Sequence, residues 1–340
     1  MRELLEKGRR DNVYSAAAWS IGDAGGALDR GFLGTRNWGG APVEEDDFWD
    51  LASVTKPVVG LVVMSLIQSG LIRLDDTLAT LLPEYHSGDK AGVTVFQLLT
   101  HTSGLRGGTP LYREHATRDA WLTAMRTTPL PARPGDRVEY SSQGFVLLGL
   151  IAEAVSGRGL DELVRELVCG PAGMTGTHFN LGETDRGRAV STEDCPWRGR
   201  MVTGEVHDEN AVVLGGIAGH AGLFSTLADL ERLGTVLVAG GGKLLDTTAF
   251  ELMTRCHTEH LALRRALAWQ MVDATGSPIG RSLGPNAYGH TGFTGTSLWI
   301  DPDLGRYFVL LTNRVHPSRT TAGVEAVRHA FHTLAAGWTA

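Results

Sequence analysis

Each end of the chain carries two apolar, strand-forming runs joined by a turn, and most of what lies between them reads as helix. Near the start, "VYSAAAWSIGD" and "RGFLGTRNW" flank the turn-forming "AGGALD"; near the end, "GTSLWIDPDLGRYFVLLTN" sets two such runs around "DPDLG". A lone hairpin is marginal in water, so four strands of this kind are expected to meet in one antiparallel sheet. The charged opening "MRELLEKGRRDNVYS" reads as a short surface helix and residues 320–337 as an amphipathic one, so a helix from each terminus flanks that sheet. Candidate helices between the hairpins are Lys56 to Ser69, Val95 to Thr100, Arg118 to Arg126, Gln143 to Val155, Leu160 to Val168 and Leu227 to Val238, separated by Gly- and Pro-rich loops. The class is therefore α/β (α+β): a single domain over 1–340, with a sheet lobe of about 1–50 and 265–340 and a mostly helical lobe of about 57–245. A cleft is expected where the lobes meet.

A net charge of −7 over 340 residues presents no basic surface, which argues against nucleic acid or an anionic membrane as partner. Cys169, Cys195 and Cys256 are widely spaced and form no CxxC, so they read as free thiols rather than a disulfide framework or zinc ribbon. The N-terminus lacks the apolar core of a signal peptide, and the apolar run from Pro57 to Ile72 is broken by Gly60, Gln68 and Gly70. A buried core helix and a cytoplasmic protein are expected.

The run that opens this helix, "ASVTKPVVGLVVMSLIQSG", places Ser53 and Lys56 three residues apart, on one face of a helix starting at or just before the serine. Lysine is scarce here, since only Lys7, Lys56, Lys90 and Lys243 are lysines among 31 basic residues. A lysine acts as a base only once its ammonium has given up a proton, which burial and a helix N-terminus favour, and the apolar helix supplies both. The bland alternative is an N-cap serine beside a solvated lysine. Ser87 and Lys90 in "HSGDK" share the spacing, but Gly88 and Asp89 mark that segment as a surface loop. Further along, "RVEYSSQGFVLLG" sets Tyr140 at the start of an apolar helix, and "YGHTGFTGTSLWID" runs His290-Thr291-Gly292 toward a strand.

Ser53-x-x-Lys56, then Tyr140, then His290-Thr291-Gly292, in this order, resembles the serine β-lactamase and penicillin-binding-protein superfamily, in its class C β-lactamase, D,D-peptidase, carboxylesterase and transacylase branch. "LIRLDDTLATLLPEY", "VTVFQLLTHTSGL" and "AGHAGLFSTLADL" look like its connecting landmarks, so the likeness runs from about Phe48 to Asn313. The resemblance implies a β-lactamase/transpeptidase-like fold and assigns roles. Ser53 would be the nucleophile, with Lys56 and Tyr140 sharing its proton transfers and His290 beside them. The oxyanion hole would use the backbone N–H groups of Ser53 and Phe293. Ser142, Thr291, Gly292 and His207 would contact substrate, Gly292 because a bare α-carbon suits a strand that substrate approaches closely.

Two positions depart from that pattern: Ser142 stands where YxN has its amide, and His290 where KTG has its permanent charge. Both changes weaken the case for an efficient β-lactamase, and a β-lactamase or D,D-peptidase stays as an alternative. They favour a serine hydrolase acting on an ester or amide, or an acyltransferase that passes the acyl group to an amine or alcohol in small-molecule biosynthesis. A non-catalytic ligand sensor is the rival from another class, and the retained Ser53, Lys56 and Tyr140 count against it. The expected partners are a small acyl substrate and, for transfer, a second acyl acceptor. No cofactor is expected: "VHDEN" (His207, Asp208, Glu209) and "CHTEH" (Cys256, His257, His260) lack a convincing metal-ligand set, and no GxGxxG or Walker motif appears. His101 reads as a hydrogen-bonded structural residue, and Trp38 and Trp299 as packing residues.

Overall fold

The computed structural model describes residues 1–338, so the last two positions of the 1–340 span lie outside the described residues. Helix α1 (Arg2–Arg10) leads into strands β1 (Ala16–Asp23) and β2 (Gly26–Gly34). The turn between these strands is tighter than "AGGALD" suggested. Gly26 takes the positive φ that closes it, at 123°, and Ala27 to Asp29 join the second strand. The C-terminal part supplies β3 (Gln270–Met271), β4 (Tyr288–Thr291), β5 (Ser297–Asp301) and β6 (Arg306–Thr312), followed by the last helix, Val324–Ala336. The six strands form one antiparallel sheet in the order β2-β1-β6-β5-β4-β3. The two ends of the chain join through β1 and β6, with Ala17 opposite Thr312 and Ile21 opposite Phe308.

Both faces of the sheet are covered, which is why "YFVLL" is apolar without interruption. Phe308 and Leu310 face the terminal helices, packing with Leu5, Trp19, Trp299 and Phe331; Tyr307, Val309 and Leu311 face the helical lobe. There α4 (Leu227–Val238) lies on the sheet, and Gly234 lets it approach, since a β-carbon would come within 2.5 Å of the Tyr307 ring. The lobe is centred on α2 (Thr55–Gln68), buried almost all round, and α3 (Ser142–Ser156), which ends at Gly157 in the left-handed conformation. No described helix is long and apolar enough to cross a membrane.

The predicted helix at Leu160 to Val168 is continuous in direction but widens to i→i+5 hydrogen bonding over Arg165–Cys169. Pro171 lies just beyond, and a wider turn relieves the clash of its ring with the preceding carbonyls. A helix at Thr247–Thr254, capped by the Asp246 carboxylate on the Ala249 N–H at 2.8 Å, was not expected. Lys90 also differs from expectation. It is buried, and its ammonium donates to the carbonyls of Arg126 (3.1 Å) and Thr128, tying down the C-terminal end of the helix at Arg118–Thr127. Ser87, by contrast, is exposed. Trp38 lies at the surface beneath the Arg9 guanidinium, whereas Trp299 is fully buried.

Candidate active site

Ser53 sits in a single 3-10 turn, Ala52–Val54, that feeds directly into α2. Its hydroxyl makes no capping bond. Instead it accepts hydrogen bonds from the Lys56 ammonium at 3.0 Å and the Tyr140 hydroxyl at 2.7 Å. Lys56 is completely buried, and its ammonium also donates to the His220 carbonyl at 3.0 Å and lies 4.8 Å from the centre of the Tyr140 ring. No carboxylate pairs with it among the described residues. Tyr140 is supported from behind by His101, whose ring packs 4.8 Å away and whose Nδ1 accepts the Ser141 N–H at 3.1 Å. Burial keeps the His101 ring neutral, as befits an acceptor.

The turn before Ser53 is strained and pinned. Ala52 has φ of 46°, a left-handed conformation that costs a β-carbon-bearing residue about 1–3 kcal/mol. The buried Asp50 carboxylate holds it there, accepting the Ala52 N–H on one oxygen at 2.8 Å and the His207 N–H on the other at 2.6 Å. Desolvation pushes the Asp50 carboxyl above the usual carboxylate range, so these two donors offset much of a burial cost. Two hydroxyls attach the turn to the far side of the site: Thr294 donates to the Asp50 carbonyl at 2.8 Å and Thr296 to the Leu51 carbonyl at 3.0 Å.

Those threonines belong to the loop that follows β4. His290 on β4 is opposite Leu298, and its Nδ1 donates to the Thr291 carbonyl at 2.8 Å. Burial and the Lys56 charge lower its pKa to about 3, so the imidazole is neutral and Nε2 presents a lone pair with no partner among the described residues. Gly292 lines the larger cavity and is bare for a further reason. A β-carbon there would lie 2.0 Å from Thr296 Oγ1 and 2.5 Å from the Leu51 carbonyl oxygen, so the approach of the turn that carries Ser53 requires glycine. The Phe293 N–H, in the turn beyond, has no acceptor among the described residues, and the Ser53 N–H lies in the first turn of a helix, where no intrahelical acceptor exists.

Two cavities, of about 290 and 540 Å³, open beside this group, and Ser53 and Phe293 line both. The smaller also has Tyr112, Trp121, Ser142, His207 and His220 in its wall; the larger has Tyr140, His290, Thr291, Arg314 and Arg328. His207 lines the smaller cavity, but its Nε2 is engaged by Glu193 at 2.9 Å and its ring stacks on Phe293 at 5.7 Å, so it braces the wall. Of the possible ligand groups, "CHTEH" does not converge, and His257 Nε2 donates to the Leu252 carbonyl at 2.8 Å. Glu193, Cys195 and Glu209 do converge, but the Arg319 guanidinium bridges the two carboxylates at 2.6 and 2.5 Å.

Several neighbours of the site were not singled out from sequence. Asp50, Arg314 and Arg319 act through contacts made across the fold, and no local pattern marks them. His220, within "AGHAGLFSTLADL", holds Asp208 at 3.1 Å through Nε2 and could have been noticed as the polar residue of that landmark. Arg328 occupies an ordinary position on the last helix, yet it is buried and forms no hydrogen bond or ion pair among the described residues; burial lowers its pKa to about 10.

The chain is similar to known proteins over most of its length. A relative from Escherichia coli strain K12, provisionally named a D-alanyl-D-alanine carboxypeptidase, is 31% identical over 305 residues, which is 79% of this chain and 69% of the relative. Two solved structures share the fold at lower identity. EstCE1, described as a hydrolase with promiscuous acyltransferase activity, matches with a TM-score of 0.78 at 18% identity, covering 96% of this chain and 97% of its own. Simvastatin synthase (LovD) from Aspergillus terreus matches with a TM-score of 0.76 at 20% identity, covering 99% and 97%. Matched from residue 2 to residue 331, this chain belongs to the Beta-lactamase family.

Proposed function

We propose that this protein is a serine hydrolase that opens an ester or amide through an acyl-Ser53 intermediate. The observation that carries the reading is the convergence of a buried lysine ammonium and a tyrosine hydroxyl on one serine oxygen, at 3.0 and 2.7 Å. When Lys56 and Tyr140 together have lost one proton, the pair takes the hydroxyl proton of Ser53 as Oγ bonds to the substrate carbonyl carbon. The carbonyl oxygen gains negative charge between the N–H groups of Ser53 and Phe293. Tyr140 then returns the proton to the leaving oxygen or nitrogen as its bond to the carbonyl carbon breaks. Because Tyr140 and His290 line the larger cavity, the leaving group departs there and the acyl group occupies the smaller, more aromatic one.

The test is intact-protein mass spectrometry with p-nitrophenyl esters and a penicillin, run beside Ser53→Ala. An acyl adduct on the parent and none on the variant is the expected result; no adduct from any of these donors would remove the basis of the reading. Presenting amines and alcohols to the trapped acyl-enzyme then separates hydrolysis from transfer, because an acceptor-dependent product that outpaces free acid makes the protein an acyltransferase.

One observation favours a second reading. A buried arginine that forms no ion pair among the described residues is costly, and Arg328 faces the leaving-group cavity with only the more distant Glu325 to offset it, so an anionic leaving group would relieve it. An amide whose departing amine carries a carboxylate meets that requirement, in keeping with the provisional name of the Escherichia coli relative. Arg328→Gln is expected to raise KM for such amides at least tenfold and to leave that of uncharged esters within twofold.

A further inference from the structure

Ser53 and Phe293 are the residues that line both cavities, and they do so differently. Ser53 contributes the reacting oxygen, whereas Phe293 contributes a half-exposed aromatic ring, unusual for a phenylalanine this close to buried chemistry. The ring is held from both cavities. His207, which lines the smaller one, stacks on it at 5.7 Å with 29° between the planes; the Arg314 guanidinium, which lines the larger one, lies 4.1 Å from its centroid. Each brace is itself anchored. His207 is bonded to Glu193, which accepts from Arg319, and Arg314 Nε donates to the Phe293 carbonyl at 2.6 Å.

We infer that the Phe293 ring is a partition that makes this site selective for acyclic acyl donors. The inference rests on the acyl-Ser53 reading above. In an open-chain ester or amide, the acyl and leaving portions are joined only through the reacting carbon, so they diverge into separate cavities on either side of the ring. A β-lactam or small lactone also opens by forming the Ser53 Oγ–carbonyl bond and breaking the carbonyl–nitrogen or carbonyl–oxygen bond, with the proton passing to the departing atom. Its two portions remain tethered in one molecule, however, and must straddle the ring to be seated. The partition therefore acts against cyclic donors by sterics, apart from any effect of His290 or Ser142.

The experiment compares acylation of the full chain by p-nitrophenyl acetate and by benzylpenicillin in the parent, Phe293→Ala and Phe293→Leu, with far-UV circular dichroism on each protein. Replacing the side chain keeps the backbone N–H, so the quantity read is the ratio of kcat/KM for the penicillin to that for the ester. The partition predicts that this ratio rises at least tenfold in Phe293→Ala and by a smaller factor in Phe293→Leu. A ratio within twofold of the parent in both folded variants overturns it. If instead no donor acylates Ser53 in the parent, the hydrolase reading fails and takes the partition with it; ester acylation with an unmoved ratio removes the partition alone.

Discussion

Gly292→Ala tests whether the proposed nucleophile Ser53 and the proposed oxyanion donor Phe293 belong to one mechanical unit. The new methyl would sit 2.0 Å from Thr296 Oγ1 and 2.5 Å from the Leu51 carbonyl oxygen, against an ordinary contact of about 3.4 Å. The threonine hydroxyl can rotate away at the loss of its 3.0 Å bond to Leu51, worth about 1 kcal/mol. The Leu51 carbonyl cannot, because it also accepts the Val54 N–H that closes the turn holding Ser53. It has to retreat by about 0.9 Å, and overpacking of this kind costs about 1–3 kcal/mol of stability. Ser53 and Phe293 stand on opposite sides of the contact, so the same displacement moves the two N–H groups proposed as oxyanion donors apart. A misplacement near 1 Å costs about 10²-fold in rate.

Stopped-flow acylation by p-nitrophenyl acetate, with urea unfolding of the same samples, reads both effects. Acylation is expected to fall by about 10²-fold and stability by about 2 kcal/mol. In the double variant with Thr296→Ala the hydroxyl overlap disappears while the carbonyl overlap remains, so stability recovers in part and acylation does not. If Gly292 were glycine only so that substrate can approach, the single variant would raise KM for bulky esters and acylate with acetate at the parental rate. Acetyl transfer within threefold of the parent would therefore refute the coupling.

Tyr140→Phe deletes a 2.7 Å hydrogen bond to Ser53 while keeping the ring beneath the Lys56 ammonium; steady-state turnover is expected to fall by about 10²–10⁴-fold, with the thermal midpoint nearly unchanged. His332 is fully buried among Trp299, Phe308 and Phe331 with neither ring nitrogen bonded to any of the described residues, and burial lowers its pKa to about 3 from 6.5. The unfolded chain takes up a proton below about 6.5 and the folded protein does not, so stability present above that pH is lost as pH falls toward 3. At pH 5 the loss from this residue is about 2 kcal/mol, and urea unfolding of His332→Phe at pH 7.5 and 5 should show a correspondingly smaller drop, His290 retaining its own share.

Much of the fold is legible because its signals are local. The apolar runs at 13–38 and 295–313, each broken by a short turn, are marked as strands by composition and punctuation, and the apolar length of 57–68 has room only inside a protein. The misreadings occur where a long-range contact overrides a local preference. Lys90 sits in a glycine- and aspartate-rich segment typical of loops, yet the carbonyl end of a helix from elsewhere in the chain buries it. The wider helical turn at Arg165–Cys169 has a local cause instead, the ring of Pro171 just beyond it.

By itself the sequence determined which atoms could do acyl chemistry, since the three-residue spacing of Ser53 and Lys56 becomes proximity as soon as a helix forms there. That the serine is not spent as a cap was decided only when the fold brought Tyr140, 87 positions away, to its hydroxyl. The tertiary structure also decided the surroundings that set reactivity. Burial beside Lys56 makes His290 a neutral acceptor, Asp50 pins the strained Ala52, and His207 and Arg314 hold Phe293 between two cavities. Spacing along a helix is inherited from its geometry, whereas solvation, strain and cavity shape depend on residues far apart in the chain meeting at one point.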